Sequence, residues 1–316
     1  MNHRLKIENI REAAGLIDPV FLHTPQYHAD SLSRLLGAKV VVKVETANPI
    51  RSFKGRGAEY LASKLSRGTK LLTASAGNFG QAMAYACGRR EIDLTVYASV
   101  NANALKLERM RALGATVVLH GADFDEAKIE AKRVARATGV RVVEDGLDPE
   151  TGEGAGTIGM ELAGFNGQID AVLLPLGNGA LVSGVGRYLK ELRRESRIIA
   201  VQAEGAPAML QSWRQKSVIR FDSISTIADG IGVRIPIPEC VQDMEEIVDE
   251  GILVRDAGLI EAMRLAHEHL GLVLEPSGAA GLAAILESRD RFAGQAVVVV
   301  LCGGNLTPEQ MKLWLA

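Results

Sequence analysis

The chain of 316 residues has little of several features that define whole classes of proteins. It contains three cysteines, Cys87, Cys240 and Cys302, which are far apart and form no Cys-x-x-Cys pair. This spacing argues against a disulfide framework and against a structural zinc site. The formal net charge is only −2, so the chain lacks the basic excess that binds a nucleic-acid backbone.

Long apolar segments are also missing. The N-terminal segment is charged and amphipathic, without the apolar core of a secretory signal peptide. The most apolar run near the other end, AVVVVLC at 296–302, is far too short to span a bilayer. We therefore expect a soluble, cytoplasmic protein that has neither a membrane nor a nucleic acid as its partner.

The sequence does contain a regular alternation of short apolar runs and helical patterns. Segments 125–138 and 257–271 predict helices, and Asp256 and Thr307 are candidate N-caps, the latter in a capping box with Gln310. The apolar runs are mostly continuous, which is typical of strands buried on both faces of a parallel sheet. This pattern predicts an α/β fold. The predicted strands are 39–45, 71–74, 94–98, 115–120, 140–144, 171–176, 197–203 and 296–302.

Ligands of open α/β sheets bind at the carboxyl ends of strands, where loops lead into helices. Four such loops have unusual compositions, and the first is SFKG at 52–55. It places Lys54 on the first turn of a helix, where the macrodipole disfavours a cation. Lys54 is therefore either a solvated surface lysine or a lysine held there for its chemistry.

The other three loops favour anions and polar groups. SAGNFG at 75–80 offers backbone amides at a helix N-terminus, which suit a carboxylate, although a serine N-cap in a plain turn is an equal alternative. GNGA at 177–180 suits a phosphate but is neither a Walker loop nor GxGxxG, because Val182 occupies the third glycine position. CGGN at 302–305 ends the most apolar strand. Pyridoxal phosphate would use all four loops.

At these loops the chain resembles the fold-type II pyridoxal-phosphate enzymes, in their serine/threonine dehydratase and serine racemase branch. The resemblance rests on six motifs in the family's order. They are SFKGRGA, SAGNFGQA, PLGNGALVSG, TIADGIGV, EPSGAAGLAA and CGGN.

The resemblance implies a tryptophan synthase β-like fold with two domains, each containing a mostly parallel sheet flanked by helices, and an active site in the cleft between them. The large domain, which binds the cofactor, is expected at 1–71 and 142–316, and the small domain at 72–141. A homodimer is expected by the same analogy.

The resemblance also implies a role for each site residue. Lys54 would bind the cofactor aldehyde and act with Ser75 in catalysis, while Phe53 would pack on the ring and Asn78 would bind the ring hydroxyl. Cys302 would face the ring nitrogen. The phosphate would be held by Gly177, Asn178, Gly179 and Ala180, and the substrate by Ser75, Ala76, Gly77, Asn78 and Phe79.

The implied activity is that of an ammonia-lyase, which converts a β-hydroxy L-amino acid, by default L-threonine or L-serine, to a 2-oxo acid and ammonia. Ala76 replaces the serine that racemases of this branch use as a second proton donor, so dehydration is favoured over racemisation. Phe79 replaces a histidine or a small residue, which leaves phenylserine and 3-hydroxyaspartate open as substrates. β-Replacement of the cysteine synthase type and racemisation are the alternative activities.

A divalent cation binds some members of this branch through a Glu-x-x-x-Ala-x-Asp stretch. Glu204 and Ala208 match that stretch, but Leu210 stands where the second acid is required. Since a hard cation needs several oxygen ligands, we expect a cation site here to be weak or absent, and we assign no metal ligands.

Overall fold

A computed structural model describes residues 3–102 and 104–316 of the chain. Short 3₁₀ helices lie at Pro19–Phe21 and Asp229–Ile231. The strands are β1 (Gln26–His28), β2 (Lys39–Val44), β3 (Lys70–Ala74), β4 (Asp93–Ala98), β5 (Thr116–Leu119), β6 (Arg141–Val143), β7 (Ala171–Pro175), β8 (Arg197–Ala203), β9 (Glu250–Val254) and β10 (Ala296–Leu301). The α-helices are α1 (Ile7–Leu16), α2 (Asp30–Leu36), α3 (Lys54–Ser63), α4 (Asn78–Arg89), α5 (Ala104–Ala112), α6 (Phe124–Thr138), α7 (Pro149–Ala163), α8 (Ala180–Leu192), α9 (Ala208–Gln215), α10 (Pro238–Asp243), α11 (Asp256–Leu270), α12 (Pro276–Glu287), α13 (Arg289–Phe292) and α14 (Pro308–Leu315).

The strands form two sheets. The larger sheet has the order β1-β2-β10-β7-β8-β9, and all of its pairs are parallel except that of β1 with β2. The smaller sheet has the order β5-β4-β3-β6 and is entirely parallel. All eight predicted strands are present, so the predicted α/β fold with two mostly parallel sheets is confirmed. The short strands β1 and β9 were not predicted.

Helices cover both faces of the larger sheet. One apolar cluster joins β2 and β10 to α2, α11 and α12, and the opposite cluster joins the same strands to α7 and α8. Helix α3 packs very closely on α7. A methyl group added at Gly57 would lie only 2.5 Å from the carbonyl oxygen of Thr151, so the position has room for glycine alone. This close packing fixes the helix that carries Lys54.

The strands of the smaller sheet run from Lys70 to Val143, close to the predicted small domain at 72–141. Its main apolar cluster also takes in residues outside those bounds, among them Phe21 and Tyr60. The division of the chain at 71 and 142 therefore stays a prediction.

The two candidate N-caps differ in outcome. Thr307 caps α14 in a capping box with Gln310, as predicted. The prediction for Asp256 was wrong, because α11 already begins at Asp256 and its N-cap is Arg255. The Asp256 carboxylate instead accepts hydrogen bonds from the Thr226 hydroxyl at 2.6 Å and the Ile227 amide at 3.0 Å. Among the described residues, none of the helices is long and apolar enough to cross a bilayer.

Candidate active site

The loop that carries Lys54 is attached to the carboxyl end of β10. The Phe53 amide donates to the Cys302 carbonyl oxygen at 3.1 Å, and the Ser52 hydroxyl donates to the same oxygen at 3.3 Å. Helix α3 begins at Lys54, whose Nζ lies 4.6 Å from the centroid of the Phe53 ring. The predicted lysine, the predicted ring-stacking residue and the predicted cysteine are therefore adjacent.

Lys54 is not a solvated surface lysine. Its Nζ lies 2.6 Å from Oδ2 of Asp145, and both side chains are only 16% exposed. Asp145 follows β6, at the carboxyl end of the smaller sheet. Its other oxygen, Oδ1, is buried and has no hydrogen-bond partner in the part of the chain that the structure describes. Sequence reasoning missed Asp145, although an acid directly after a predicted strand at 140–144 was a usable signal.

The loop at 177–180 precedes α8, whose first turn receives no side-chain cap from any described residue. Gly179 has φ +97°, a left-handed conformation that glycine adopts most easily. A methyl group added at Gly177 would lie 2.9 Å from the carbonyl oxygen of Gly230, so the loop packs against the 226–233 segment. The free amides of this helix start make a suitable anion site.

This loop lies beside Asp145. A methyl group added at Gly146 would be 2.7 Å from the carbonyl oxygen of Asn178, and Asp145 and Asn178 line one cavity. The structure thus brings the predicted phosphate loop to the same place as the residue that pairs with Lys54.

Cys302 is 5% exposed, and its Sγ lies 3.6 Å from the Ser277 carbonyl oxygen. Burial raises the pKa of the Cys302 thiol, which is therefore neutral at physiological pH. The Ser277 hydroxyl is buried and lacks a hydrogen-bond partner among residues 3–102 and 104–316. The neutral thiol thus contacts the backbone of the residue whose hydroxyl is unpaired.

Glu275 links the two sheets at this site. Its Oε1 accepts a hydrogen bond from Asn78 Nδ2 at 2.6 Å, and its Oε2 accepts one from the Asn305 amide at 3.2 Å. Asn305 Nδ2 in turn donates to Asn78 Oδ1 at 2.9 Å. Burial, followed by the nearby charge of Asp229, raises the pKa of Glu275 to about 7. The EPSG motif was recognised from the sequence, but the role of Glu275 in holding Asn78 was not.

The loop at 75–79 begins α4. The Ser75 hydroxyl accepts hydrogen bonds from the amides of Gly77 at 3.2 Å and Gly80 at 3.0 Å, while its own hydrogen stays available to a ligand. Ala76 and Gly77 are partly exposed. Phe79 is 6% exposed and packs in the apolar cluster under the smaller sheet, so its predicted contact with a substrate stays a prediction.

These residues fit pyridoxal phosphate. The cofactor needs an amine for its aldehyde, an anion site for its phosphate and polar partners for its ring. Lys54 offers the amine, the uncapped start of α8 offers amides, and Cys302 offers a neutral partner. The buried Ser277 hydroxyl, unpaired within the described chain, is a group that a ring atom could satisfy.

Comparison with known proteins agrees with this fit. The family model described as "Pyridoxal-phosphate dependent enzyme" matches residues 17–303. The chain belongs to this family. Pyridoxal phosphate is therefore its cofactor, as the four loops predicted.

Individual relatives place the chain more closely. It is 34% identical to the L-threonine ammonia-lyase of Thermotoga maritima over 96% of its own length and 76% of the relative's. It is 31% identical to the biosynthetic L-threonine dehydratase of Pasteurella multocida over 90% of its length, but spans only 56% of that protein. Among solved structures, maize serine racemase superposes with a TM-score of 0.89 at 30% identity, covering 98% of this chain and 96% of the racemase. These relatives support the predicted dehydratase and racemase branch.

Proposed function

We propose that this protein is an ammonia-lyase that converts a β-hydroxy L-amino acid, L-threonine or L-serine by default, to a 2-oxo acid and ammonia. The observation that carries the proposal is the position of the Lys54 amine, which lies against the Phe53 ring on a loop hydrogen-bonded to the backbone of the buried, neutral Cys302. The similarity to an L-threonine ammonia-lyase over nearly the whole chain supports the same activity.

When bound, pyridoxal phosphate supplies an aldehyde that binds amino groups covalently and a ring that withdraws electrons from the α-carbon. Lys54 is the residue that would hold that aldehyde. Its amine, when free, would accept the α-proton of the substrate as a general base. The amides of Gly177, Asn178, Gly179 and Ala180 at the start of α8 would hold the phosphate.

The remaining residues position the substrate and steer the reaction. Ser75 and the amides at 75–79 would hold the substrate carboxylate, and Asn78, fixed by Glu275, would bind the ring hydroxyl. The Cys302 thiol cannot give the ring nitrogen a full positive charge. A neutral partner of this kind would favour prompt loss of the β-hydroxyl over transamination.

Racemisation is the second candidate, because maize serine racemase is among the similar structures. It requires a proton donor on the face of the α-carbon opposite Lys54. Ala76 occupies the position that the resemblance gives to that donor, and alanine has no proton to give. We therefore expect little D-amino acid among the products.

One experiment separates these activities. The holoenzyme is incubated with L-threonine, L-serine, phenylserine and 3-hydroxyaspartate, and the 2-oxo acid, ammonia and D-amino acid formed are measured. Equal amounts of 2-oxo acid and ammonia are expected from L-threonine or L-serine. Rapid accumulation of D-serine with little pyruvate would instead identify a racemase. Absence of both products, with β-substituted amino acids formed when a thiol is added, would identify β-replacement.

The assembly follows from the resemblance, and the location from the composition of the sequence. We propose a cytoplasmic homodimer. Light scattering of the purified holoenzyme should give twice the mass of the 33.8 kDa chain, and a monomeric mass would contradict the proposal.

A further inference from the structure

Among residues 3–102 and 104–316, Asp145 is the acid that forms an ion pair with Lys54, and the proposed reaction gives it no role. The ion pair is short, at 2.6 Å, and both side chains are mostly buried. One oxygen of the carboxylate is occupied by Lys54 Nζ, while the other is buried without a partner from any described residue. A buried, unsatisfied carboxylate oxygen is costly, so a ligand that donates to it would bind favourably.

The backbone around Asp145 is held firmly. The Glu144 amide donates to the Asp148 carboxylate at 2.7 Å, and the Gly146 amide donates to the Thr151 hydroxyl at 3.0 Å. The Arg4 guanidinium donates to the Gly146 carbonyl oxygen at 2.8 Å. Gly146 itself has φ +84° and leaves no room for a side chain beside Asn178. Asp145 is therefore presented to Lys54 by a fixed turn, as a binding residue must be.

The neighbouring acid has a different environment. Glu144 pairs with Lys128 and with Lys132, each at 2.6 Å, on helix α6. Both of its ion pairs lie away from Lys54. Of the two consecutive acids, Asp145 alone contacts the proposed catalytic amine, which makes Glu144 a matched control.

The position of Asp145 relative to the reacting atoms follows from Lys54. A base that removes the α-proton must lie about 3–3.5 Å from the α-carbon. The substituent on the β-carbon is two bonds further, and Asp145 is in direct contact with the base. The unpaired Oδ1 of Asp145 is therefore the polar atom beside the base that could receive the β-substituent, which is the group that leaves in the proposed reaction.

We propose that Asp145 is a specificity-determining residue: its Oδ2 positions the Lys54 amine, and its Oδ1 accepts a hydrogen bond from a donor on the substrate β-carbon. This inference rests on the proposed function and deepens it. It names the substrate class as L-amino acids whose β-substituent carries a hydrogen-bond donor. A hydroxyl and an ammonium group both satisfy this chemistry, and a β-halogen does not.

The substrate half of the inference is tested with Asp145→Ala and with Glu144→Gln as the control. For each enzyme, kcat/KM is measured for L-serine and for β-chloro-L-alanine, whose chloride has no hydrogen to donate. In Asp145→Ala the ratio of kcat/KM for L-serine to that for β-chloro-L-alanine should fall by roughly tenfold or more, as expected for the loss of one hydrogen bond to a charged group. It should not change in Glu144→Gln. Equal losses on both substrates would overturn the substrate role.

A third substrate identifies the donor. If Asp145→Ala loses more activity on L-serine than on L-2,3-diaminopropionate, a hydroxyl is the donor that Asp145 recognises. The reverse order identifies an ammonium group. Either order supports the proposed class, whereas a variant as active as wild type on both would contradict it.

The positioning of the Lys54 amine by Asp145 is tested by a measurement that does not depend on turnover. In the holoenzyme of Asp145→Asn, which keeps the shape of the side chain, the visible absorption band of the bound cofactor is followed against pH. Removing the negative charge beside Nζ should move the spectral transition to lower pH, because the positively charged form loses its partner. An unchanged transition, in a variant whose Tm equals that of wild type, would overturn the positioning role. This result stands even if the lyase activity itself is not found.

Discussion

Lys54 and Arg56 lie two residues apart on α3, but their surroundings differ. We call the ionic cluster around Arg56 complete, because its buried charges balance, and the pair of Lys54 with Asp145 incomplete, because a carboxylate oxygen lacks a partner among the described residues. Arg56 is fully buried and donates six hydrogen bonds to Glu45, Glu161, Thr24 and Thr157. With Lys43, which pairs with Glu161, the cluster holds two cations and two anions. Its charges therefore balance inside the protein.

The surroundings of Lys54 are different. Its carboxylate partner, Asp145, keeps one oxygen without a hydrogen-bond partner among the described residues. Buried polar groups are nearly always satisfied in folded proteins, so an unsatisfied oxygen on the carboxylate that pairs with Lys54 indicates a place for a ligand. A satisfied ionic cluster supports the fold, whereas an unsatisfied one marks the site.

The largest effect should come from removing the Lys54 amine. In Lys54→Ala we expect turnover to fall by roughly 10³-fold or more, because covalent binding of the cofactor and general-base catalysis are both lost. The Tm of the cofactor-free protein should fall less than the loss of a fully buried cation would cause, since Asp145, which loses its partner, is still 16% exposed. Lys64→Ala, at the other end of the same helix, is the control and should retain full turnover. A Lys54→Ala enzyme with wild-type kcat would refute the assignment.

A substitution in the complete cluster should act mainly on the stability of the fold. Arg56→Met leaves Glu45 and Glu161 with only Lys43 to balance them, so one buried charge becomes uncompensated. We expect a loss of about 3–5 kcal/mol in the free energy of unfolding, measured by urea denaturation of the cofactor-free protein. Arg51→Met, which removes an exposed arginine of the same loop, should change it by less than about 0.5 kcal/mol. Equal effects of the two substitutions would remove the distinction between the clusters.

Glu275 should make the stability of the cofactor-free protein depend on pH. Its pKa is raised to about 7 in the folded state, so folding favours the protonated form. The stabilisation is fully present below the unfolded pKa of about 4.5 and is lost as pH rises through 7, a change on the order of 3 kcal/mol. Unfolding free energies measured from pH 4.5 to 7.5 should fall more steeply for wild type than for Glu275→Gln, which cannot titrate. Parallel curves would show that Glu275 does not titrate in this range.

The smallest effect is expected at Cys302. Cys302→Ser keeps a neutral hydrogen-bonding group beside the Ser277 carbonyl oxygen, so most of the turnover should remain and the unfolding free energy should change by about 1 kcal/mol. Activity is measured alongside cofactor absorbance. If turnover disappeared while the cofactor stayed bound, Cys302 would have a chemical role beyond a hydrogen bond.

The sequence predicted the fold better than it predicted the site. Strands such as β10 are continuous apolar runs, and that local pattern is enough to locate them. Strand β1 has three residues, two of them exposed, and so carries no such pattern. Motifs located Lys54, Asn78 and Cys302, but no local rule pairs them with their partners.

Those partners are distant in the chain. Asp145 is 91 positions from Lys54, and Glu275 is 197 positions from Asn78. Their contacts depend on how the two sheets and their loops come together, which neither periodicity nor spacing encodes. The residues that a motif contains could be predicted, and the residues that complete the site through long-range contacts could not.

The central claim is that the incomplete cluster at Lys54 holds the cofactor, and peptide mapping tests it most directly. The holoenzyme is reduced with borohydride, which fixes the cofactor to its lysine, then digested and analysed by mass spectrometry. We expect the pyridoxyl label on Lys54 alone, with Lys43 of the complete cluster and Lys64 of the same helix unlabelled. A label on Lys43 or Lys64, with Lys54 unmodified, would contradict the account.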